Sequence, residues 1–287
     1  MKALYDLPAP AKLNLFLHIT GRRDDGYHLL QSVFMLIDWC DTLHVEKRGD
    51  GQLTREDLTT PLPTDDLVLR AAKALQAFSG TSQGAHISIA KRVPAQAGMG
   101  GGSSDAATCL LALNRLWGLA LPLSKLEQIG LALGADVPFF LHGAPAWAEG
   151  VGERLTPLDL PPRWYLVLAP PVGVPTRDIF TAPELTRDTE PLKMEDFSAH
   201  SPMFAGFASD EGFRNDLEPV VAARYPAVRE HLEWLRQHAD ARMTGSGSCV
   251  FAAFDSREAA QQVLDRLPAP MQGFIAQGIS QHPLRAQ

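Results

Sequence analysis

The fold of this chain is decided by the stretch Val93-Pro94-Ala95-Gln96-Ala97-Gly98-Met99-Gly100-Gly101-Gly102-Ser103-Ser104-Asp105-Ala106-Ala107. Four of five successive positions are glycine, and two serines follow, directly before the apolar spacing of an amphipathic helix. Glycines leave backbone N–H groups accessible, and a helix N-terminus adds a positive dipole, so such a loop can enclose an oxyanion. The stretch therefore predicts a phosphate-binding loop and an enzyme that uses ATP.

Three kinds of glycine-rich phosphate-binding loop are known that differ in the residues they require. A Walker A loop requires a lysine near its end, and none lies between Gly98 and Ser104. A dinucleotide fingerprint requires a third glycine where Ser103 stands. A small-residue loop between a strand at 86–92 and a helix fits best, while a glycine turn with a capping serine stays the structural alternative. Asp105 favours the helix dipole but repels phosphate, so we expect it to point away from the nucleotide.

Composition limits the possible classes of protein. The 287 residues carry a net charge of −7, which argues against a broad nucleic-acid surface. The three cysteines are widely spaced, which predicts reduced thiols rather than a disulfide framework or a zinc site. We find neither a signal peptide nor an apolar run of about 18 residues. We therefore expect a cytoplasmic enzyme with neither nucleic acid nor membrane as a partner.

Hydrophobic periodicity predicts an α+β protein. In the first half we expect strands at 12–20 and 33–46, the latter broken at Asp41, and a helix capped within Thr64-Asp65-Asp66 and closed by Gly80. Ser124 is predicted to cap a later helix. Nine prolines between 157 and 202 favour a domain change near 157–162. The remaining expected elements are strands at 139–141, 145–148, 164–169, 242–254 and 273–279, and helices at 217–224, 227–238 and 258–267.

Three motifs resemble those of GHMP-type small-molecule kinases. The first is PAKLNL at 10–15, the second is the glycine loop, and the third is TGSGSCVF at 244–251. Four further segments resemble one branch of that superfamily, whose acceptor is a cytidine diphosphate derivative of methylerythritol. These segments are RDDGYH at 23–28, GADVPFF at 134–140, EGVGE at 149–153 and RNDLE at 214–218.

The resemblance implies a two-lobed α+β fold. Residues 1–158 would form an ATP-binding lobe like the second domain of ribosomal protein S5, and 159–287 a ferredoxin-like substrate lobe. It also implies transfer of the ATP γ-phosphate to a hydroxyl of the methylerythritol portion, in the non-mevalonate route to isoprenoids. Mg²⁺ is expected with ATP, and the partner is a small cytidine diphosphate substrate. We expect a monomer or a weak homodimer.

The resemblance also assigns roles to residues. Asp136 would orient or deprotonate the hydroxyl, and Lys12 would assist it; capping of a turn is the alternative use of Asp136. Tyr27 and Phe180 offer aromatic faces for a cytosine ring, with polar groups at His28. The ATP-binding residues would be those from Pro94 to Ser104. The residues predicted to bind the acceptor are Asn14, Tyr27, His28, Phe180, Gly245 and Ser246.

Two positions depart from the residues usual in the family. Asp66 stands where the family commonly has asparagine, and Met99 replaces the usual leucine at similar volume. No metal-ligand cluster is recognisable, although Ser103 or Ser104 is a possible contact for Mg²⁺. Another GHMP kinase acting on homoserine, mevalonate or a sugar is the alternative within this chemistry. A nucleotide-binding protein without catalysis is the alternative from another class.

Overall fold

Two long antiparallel strands run through the centre of the protein. The computed structural model describes residues 1–197 and 212–285, and opens with β1 (Ala3–Arg22) and β2 (His28–Arg48). The strand predicted at 12–20 is confirmed as part of β1. Every residue from Ala9 to Ile19 is buried, although successive side chains of a strand point to opposite faces. Both faces of β1 are therefore covered, which explains why apolar residues occur on each of them.

The first half of the chain surrounds this pair of strands. Strands β3 and β4 run parallel, and β4 pairs antiparallel with β2. Strand β5 pairs with both β2 and β6. The apolar sides of the four helices pack with the strands into one hydrophobic cluster. The elements are β3 (Leu53–Asp57), α1 (Leu67–Ser79), β4 (Gly84–Ala90), α2 (Gly101–Leu116), α3 (Leu123–Leu133), α4 (Val137–His142), β5 (Ala146–Glu149) and β6 (Arg154–Pro157).

The second half adds four antiparallel strands in the order β10-β7-β9-β8. The α+β prediction is confirmed, and β10 occupies the residues predicted for it. None of the helices in the described ranges is long and apolar enough to span a bilayer. The elements are β7 (Trp164–Leu168), α5 (Thr176–Phe180), a 3₁₀ turn (Met194–Phe197), α6 (Glu218–Arg224), α7 (Pro226–Arg236), β8 (Ala241–Met243), β9 (Val250–Phe254), α8 (Arg257–Leu264) and β10 (Gly273–Ile279).

The last strand joins the two halves into one sheet of ten strands. Gly278 and Ile279 pair with β2, while the rest of β10 pairs with β7. The Gln277 N–H donates to Asp38 Oδ1 over 2.6 Å, and the His282 N–H donates to the carbonyl of Gly143 over 2.7 Å. The C-terminal segment is therefore fastened to the first half of the chain.

Three local predictions are wrong. The apolar run 139–141 lies in helix α4 rather than in a strand, because Pro138 suits a first helical turn and Gly143 ends the helix in the left-handed region. Strand β2 runs through Asp41 without a break, because that carboxylate is buried and paired. Helix α3 begins before Ser124, with Pro122 at the cap position.

Asp66 caps helix α1, as the sequence predicts. Its carboxylate accepts hydrogen bonds from the N–H groups of Val68 (3.2 Å) and Leu69 (3.1 Å). The same group forms an ion pair with the guanidinium of Arg55, which also binds the carbonyls of Leu62 and Pro63. The aspartate thus ties the start of the helix to the preceding loop.

We expect Asp66→Ala to lower the free energy of unfolding by about 1–2 kcal/mol, because an unfilled cap leaves helix N–H groups unpaired. Asp66→Asn keeps a good cap and should cost clearly less. Urea unfolding followed by circular dichroism measures both changes. Asp65→Ala, which removes a largely exposed carboxylate next to it, serves as the control. An Asn variant as unstable as the Ala variant would contradict the capping explanation.

Candidate active site

A cavity of about 650 Å³ lies where β1, the glycine loop, α4 and α5 meet. It brings together most of the residues that the sequence predicts for the site. Ser104, Tyr27 and His28 are the predicted residues that fall outside this lining, within the described parts of the chain. The predicted residues that line it are Lys12, Asn14, Asp136, Phe180, Gly245, Ser246 and the loop from Pro94 to Ser103.

Lys12 and Asp136 face each other in this cavity. The Lys12 Nζ lies 3.6 Å from Asp136 Oδ2, and the lysine side chain is 5% exposed while the aspartate is 34% exposed. Burial lowers the pKa of the Lys12 ammonium from its ordinary value, and the charge of Asp136 opposes that change. The ammonium also lies over the ring of Phe34, 5.0 Å from its centroid. A buried cation therefore stands beside an accessible carboxylate.

Asn14 holds Lys12 in place. Its Oδ1 accepts a hydrogen bond from the Lys12 ammonium, and its Nδ2 donates to Ser32 Oγ over 2.8 Å. Its backbone N–H donates to Thr244 Oγ1 over 2.9 Å. Both ends of the amide are thus paired inside the protein, and the contact with the acceptor stays a prediction.

The glycine loop packs directly on the backbone of the third motif. A Cβ at Gly98 would lie 2.0 Å from the carbonyl oxygen of Thr244, and one at Gly245 would lie 2.7 Å from that of Gly98. Both glycines have positive φ angles, 75° and 55°. Only glycine meets both demands, so the two motifs need glycine for close approach as well as for conformation.

The loop leads into α2 at the edge of the cavity. Its cap residue, Gly100, lies in the left-handed region, and a Cβ there would lie 2.8 Å from the ring of Phe140. The first N–H groups of a helix have no partner within the helix, so they are available to an anion. The Ser104 hydroxyl instead donates to the Pro10 carbonyl over 2.6 Å, which fastens the helix to β1.

A buried ion cluster lies beneath this helix start. The Lys91 ammonium contacts the carboxylates of both Asp41 and Asp105. Burial raises the pKa of Asp105 to about 8, with the Lys91 charge opposing the shift and Asp41 adding to it. The raised pKa favours the protonated, uncharged form of Asp105 near neutral pH. This arrangement removes the repulsion between Asp105 and phosphate that the sequence suggests.

The aromatic residues predicted for the acceptor are split. Tyr27 is exposed on the turn between β1 and β2, whereas His28 is buried at the start of β2. The rings of His28 and Phe180 lie 5.1 Å apart at 47°. Phe180 ends α5 and lines the cavity. The structure thus brings His28 and Phe180 together and leaves Tyr27 in solvent.

Comparison with known proteins agrees with this geometry. The models of the GHMP kinase N-terminal domain and the GHMP kinase C-terminal domain match residues 66–144 and 197–273. A 4-diphosphocytidyl-2-C-methyl-D-erythritol kinase of Variovorax paradoxus is 60% identical, over 99% of this chain and 98% of that protein. The chain belongs to the 4-diphosphocytidyl-2-C-methyl-D-erythritol kinase family. A relative of that name from Thiobacillus denitrificans is 57% identical over 96% of each chain.

Comparison with solved structures supports the same family. A crystal structure titled 4-(cytidine 5'-diphospho)-2C-methyl-D-erythritol kinase is 34% identical, covers 94% of this chain and 98% of that one, and has a TM-score of 0.81. A homoserine kinase from Cytophaga hutchinsonii is 16% identical with a TM-score of 0.73, over 98% of this chain and 96% of that one. The second likeness concerns the fold alone.

Two further residues, Thr244 and Asn215, shape the site, although the sequence did not predict individual roles for them. Thr244 links β1 to the loop, since its hydroxyl also donates to the carbonyl of Gly98 over 3.3 Å. Asn215 Nδ2 donates to the carbonyls of Met243 and Gly245, both over 2.8 Å. Thr244 and Asn215 lie within motifs that resemble those of the family, so the sequence marks both positions. Their hydrogen-bond partners lie far away in the sequence and are identified only by the structure.

We expect the KM for ATP to rise about fivefold between pH 7 and pH 9. Asp105 loses its proton as the pH passes its raised pKa of about 8, which adds a negative charge beside the phosphate loop. In Asp105→Asn the KM should stay nearly constant over this range. Steady-state kinetics with ATP varied at each pH measure the effect. An equal rise in both proteins would rule out Asp105 as its source.

Proposed function

We propose that this protein transfers the γ-phosphate of ATP to a hydroxyl of 4-diphosphocytidyl-2-C-methyl-D-erythritol, giving the 2-phosphate and ADP. The observation that carries the proposal is the pairing of Lys12 with Asp136 across a cavity that the glycine loop also lines. Relatives that match almost the whole chain carry the name of this kinase. The product would serve the non-mevalonate route to isoprenoid precursors.

Asp136 orients or deprotonates the attacking hydroxyl. The new bond forms between that oxygen and the γ-phosphorus, while the bond between the γ-phosphorus and the bridging oxygen of ADP breaks. The loose transition state of such transfers needs positioning more than a strong base. The Lys12 ammonium lies 3.6 Å from the carboxylate and pairs with it, which supports the orienting role. Its charge also stabilises the transferring group.

Mg²⁺ is expected to enter with ATP. It neutralises phosphate charge when bound, and it is usually held by one or two protein oxygens together with the phosphates. The described residues contain no group of three His, Cys, Asp or Glu side chains placed to hold a metal, so a complete protein cage is absent from them. Ser103 lines the cavity and can supply one oxygen, whereas the Ser104 hydroxyl is committed to Pro10.

We propose that residues 1–158 form the ATP-binding lobe and that residues 159–287 form the substrate lobe. Phe180, Gly245 and Ser246 extend the cavity from the second lobe, where the Ser246 and Thr176 hydroxyls are 2.8 Å apart. In this proposal Phe180 and the exposed Tyr27 take the two faces of the cytosine ring. Closure of Tyr27 over the ring would follow acceptor binding.

We expect Asp136→Asn to lower kcat at least about 100-fold, because the amide cannot orient or accept the hydroxyl proton as a carboxylate does. ATP affinity should stay within about twofold, since in this proposal Asp136 contacts the acceptor hydroxyl and not ATP. Measurement of ADP release and of nucleotide binding by calorimetry separates the two effects. Asp159→Asn changes an exposed carboxylate outside the cavity and serves as the control. A kcat close to that of the unchanged protein would exclude the orienting role.

The proposed acceptor is tested by ADP release with the cytidine diphosphate substrate, homoserine, mevalonate and galactose at equal concentrations. We expect turnover with the cytidine substrate at least about 100 times faster than with the others, because the smaller acceptors have no ring for Phe180 to contact. Activity restricted to one of the other acceptors would overturn the proposal. Nucleotide binding without any turnover would favour the non-catalytic alternative.

A further inference from the structure

Arg187 fixes the shape of the segment that follows α5. Its Nη2 donates to the carbonyls of Phe180 (3.1 Å) and Ala182 (2.6 Å), and its Nη1 donates to that of Leu185 (2.9 Å). One planar guanidinium thus holds three carbonyl groups within six residues of chain. The fork geometry of arginine allows this, and the single ammonium of lysine does not reproduce it.

The Nε donor of Arg187 reaches the other half of the chain. Its Nε donates to His28 Nε2 over 3.1 Å, between residues that are 159 apart in sequence. A guanidinium has no acceptor, so Nε2 carries a lone pair and the neutral ring carries its proton on Nδ1. Burial lowers the pKa of His28, and the charges of Arg187 and Arg22 lower it further. The arginine therefore selects one tautomer of a neutral imidazole.

The same arginine controls both members of an aromatic pair. The ring of His28 packs against that of Phe180, and the Phe180 ring lines the cavity. Arg187 donates one hydrogen bond to Nε2 of the His28 ring and another to the backbone carbonyl of Phe180. Arg187 is outside the residues that line the cavity in the described structure. Any effect on the acceptor must therefore pass through His28 and Phe180.

We propose that Arg187 is a positioning residue for the pyrimidine end of the acceptor. It fixes the ring of His28 through Nε2, and through that ring and the Phe180 carbonyl it holds Phe180 as a wall of the cavity. This inference rests on the proposed function, in which the acceptor carries cytidine diphosphate.

The test compares Arg187→Met with Arg224→Met. Arg224 is a matched control, because it binds the same segment through Glu184 (2.8 Å) and the carbonyl of Asp178 (3.3 Å) from the outer side. We expect Arg187→Met to raise the KM for the cytidine substrate about tenfold, with the KM for ATP within about twofold. Arg224→Met should leave both values within about twofold. Equal increases in the two variants would overturn the proposal, because they would show only a general need to anchor the segment.

Arg187→Lys supplies a second variant if the methionine variant folds poorly. It keeps the positive charge but loses the fork, and we expect most of the rise in KM to persist. A lysine variant that behaves as the unchanged protein would reduce the role of Arg187 to its charge and overturn the positioning argument.

Nitrogen-15 NMR of His28 in the unliganded protein tests the hydrogen bond from Arg187 directly, whereas the difference between the two KM values tests its effect on the acceptor. We expect the unchanged protein to show a proton on Nδ1 and none on Nε2, and Arg187→Met to show a mixture of tautomers. A protonated Nε2 in the unchanged protein would overturn the inference. Absence of turnover with the cytidine substrate would instead refute the proposed function, and the NMR result would still decide the tautomer.

Discussion

The site depends on one steric contact, the approach of the Gly98 backbone to the carbonyl of Thr244. No side chain fits between these two segments, so they pack as bare backbone. The loop is then fastened on each side, because the Lys12 N–H donates to the carbonyl of Met99 over 3.0 Å and the Cys249 N–H donates to that of Ala97 over 3.2 Å. The glycine loop is therefore held between β1 and the segment from Thr244 to Cys249 that leads into β9.

Charge is distributed around this loop by pairing each buried cation with carboxylates. Lys12 faces Asp136 at the open side of the cavity, and Lys91 faces Asp41 and Asp105 beneath the helix. The two arrangements differ in the exposure of their carboxylates, because Asp136 is accessible to solvent while Asp41 and Asp105 are buried. The accessible Asp136 can meet a substrate, whereas the enclosed cluster holds the start of the glycine loop to β2 through Asp41. Breaking a buried pair on one side only is costly, so these charges act as units.

The sequence was sufficient to predict the α+β class, the glycine loop and the pair Lys12 and Asp136, because each lies in a compact motif. It was insufficient for features that depend on distant partners. Asp41 interrupts an apolar strand pattern, and its partner Lys91 is 50 residues away. The apolar run 139–141 fits a strand or a buried helix equally well by periodicity, so only Pro138 and the terminal Gly143 distinguish them. Arg187 has no local pattern, since its contact with His28 spans 159 residues.

The pairing of β10 with β2 has a consequence for how the chain is made. The strand that joins the two halves of the sheet ends at residue 279, so β2 gains that neighbour only after synthesis has passed this residue. Contacts between residues far apart in sequence slow folding, and an unpaired strand edge invites association with other chains. The nascent first half therefore passes through a period in which its central strand lacks this partner, which favours association with other chains.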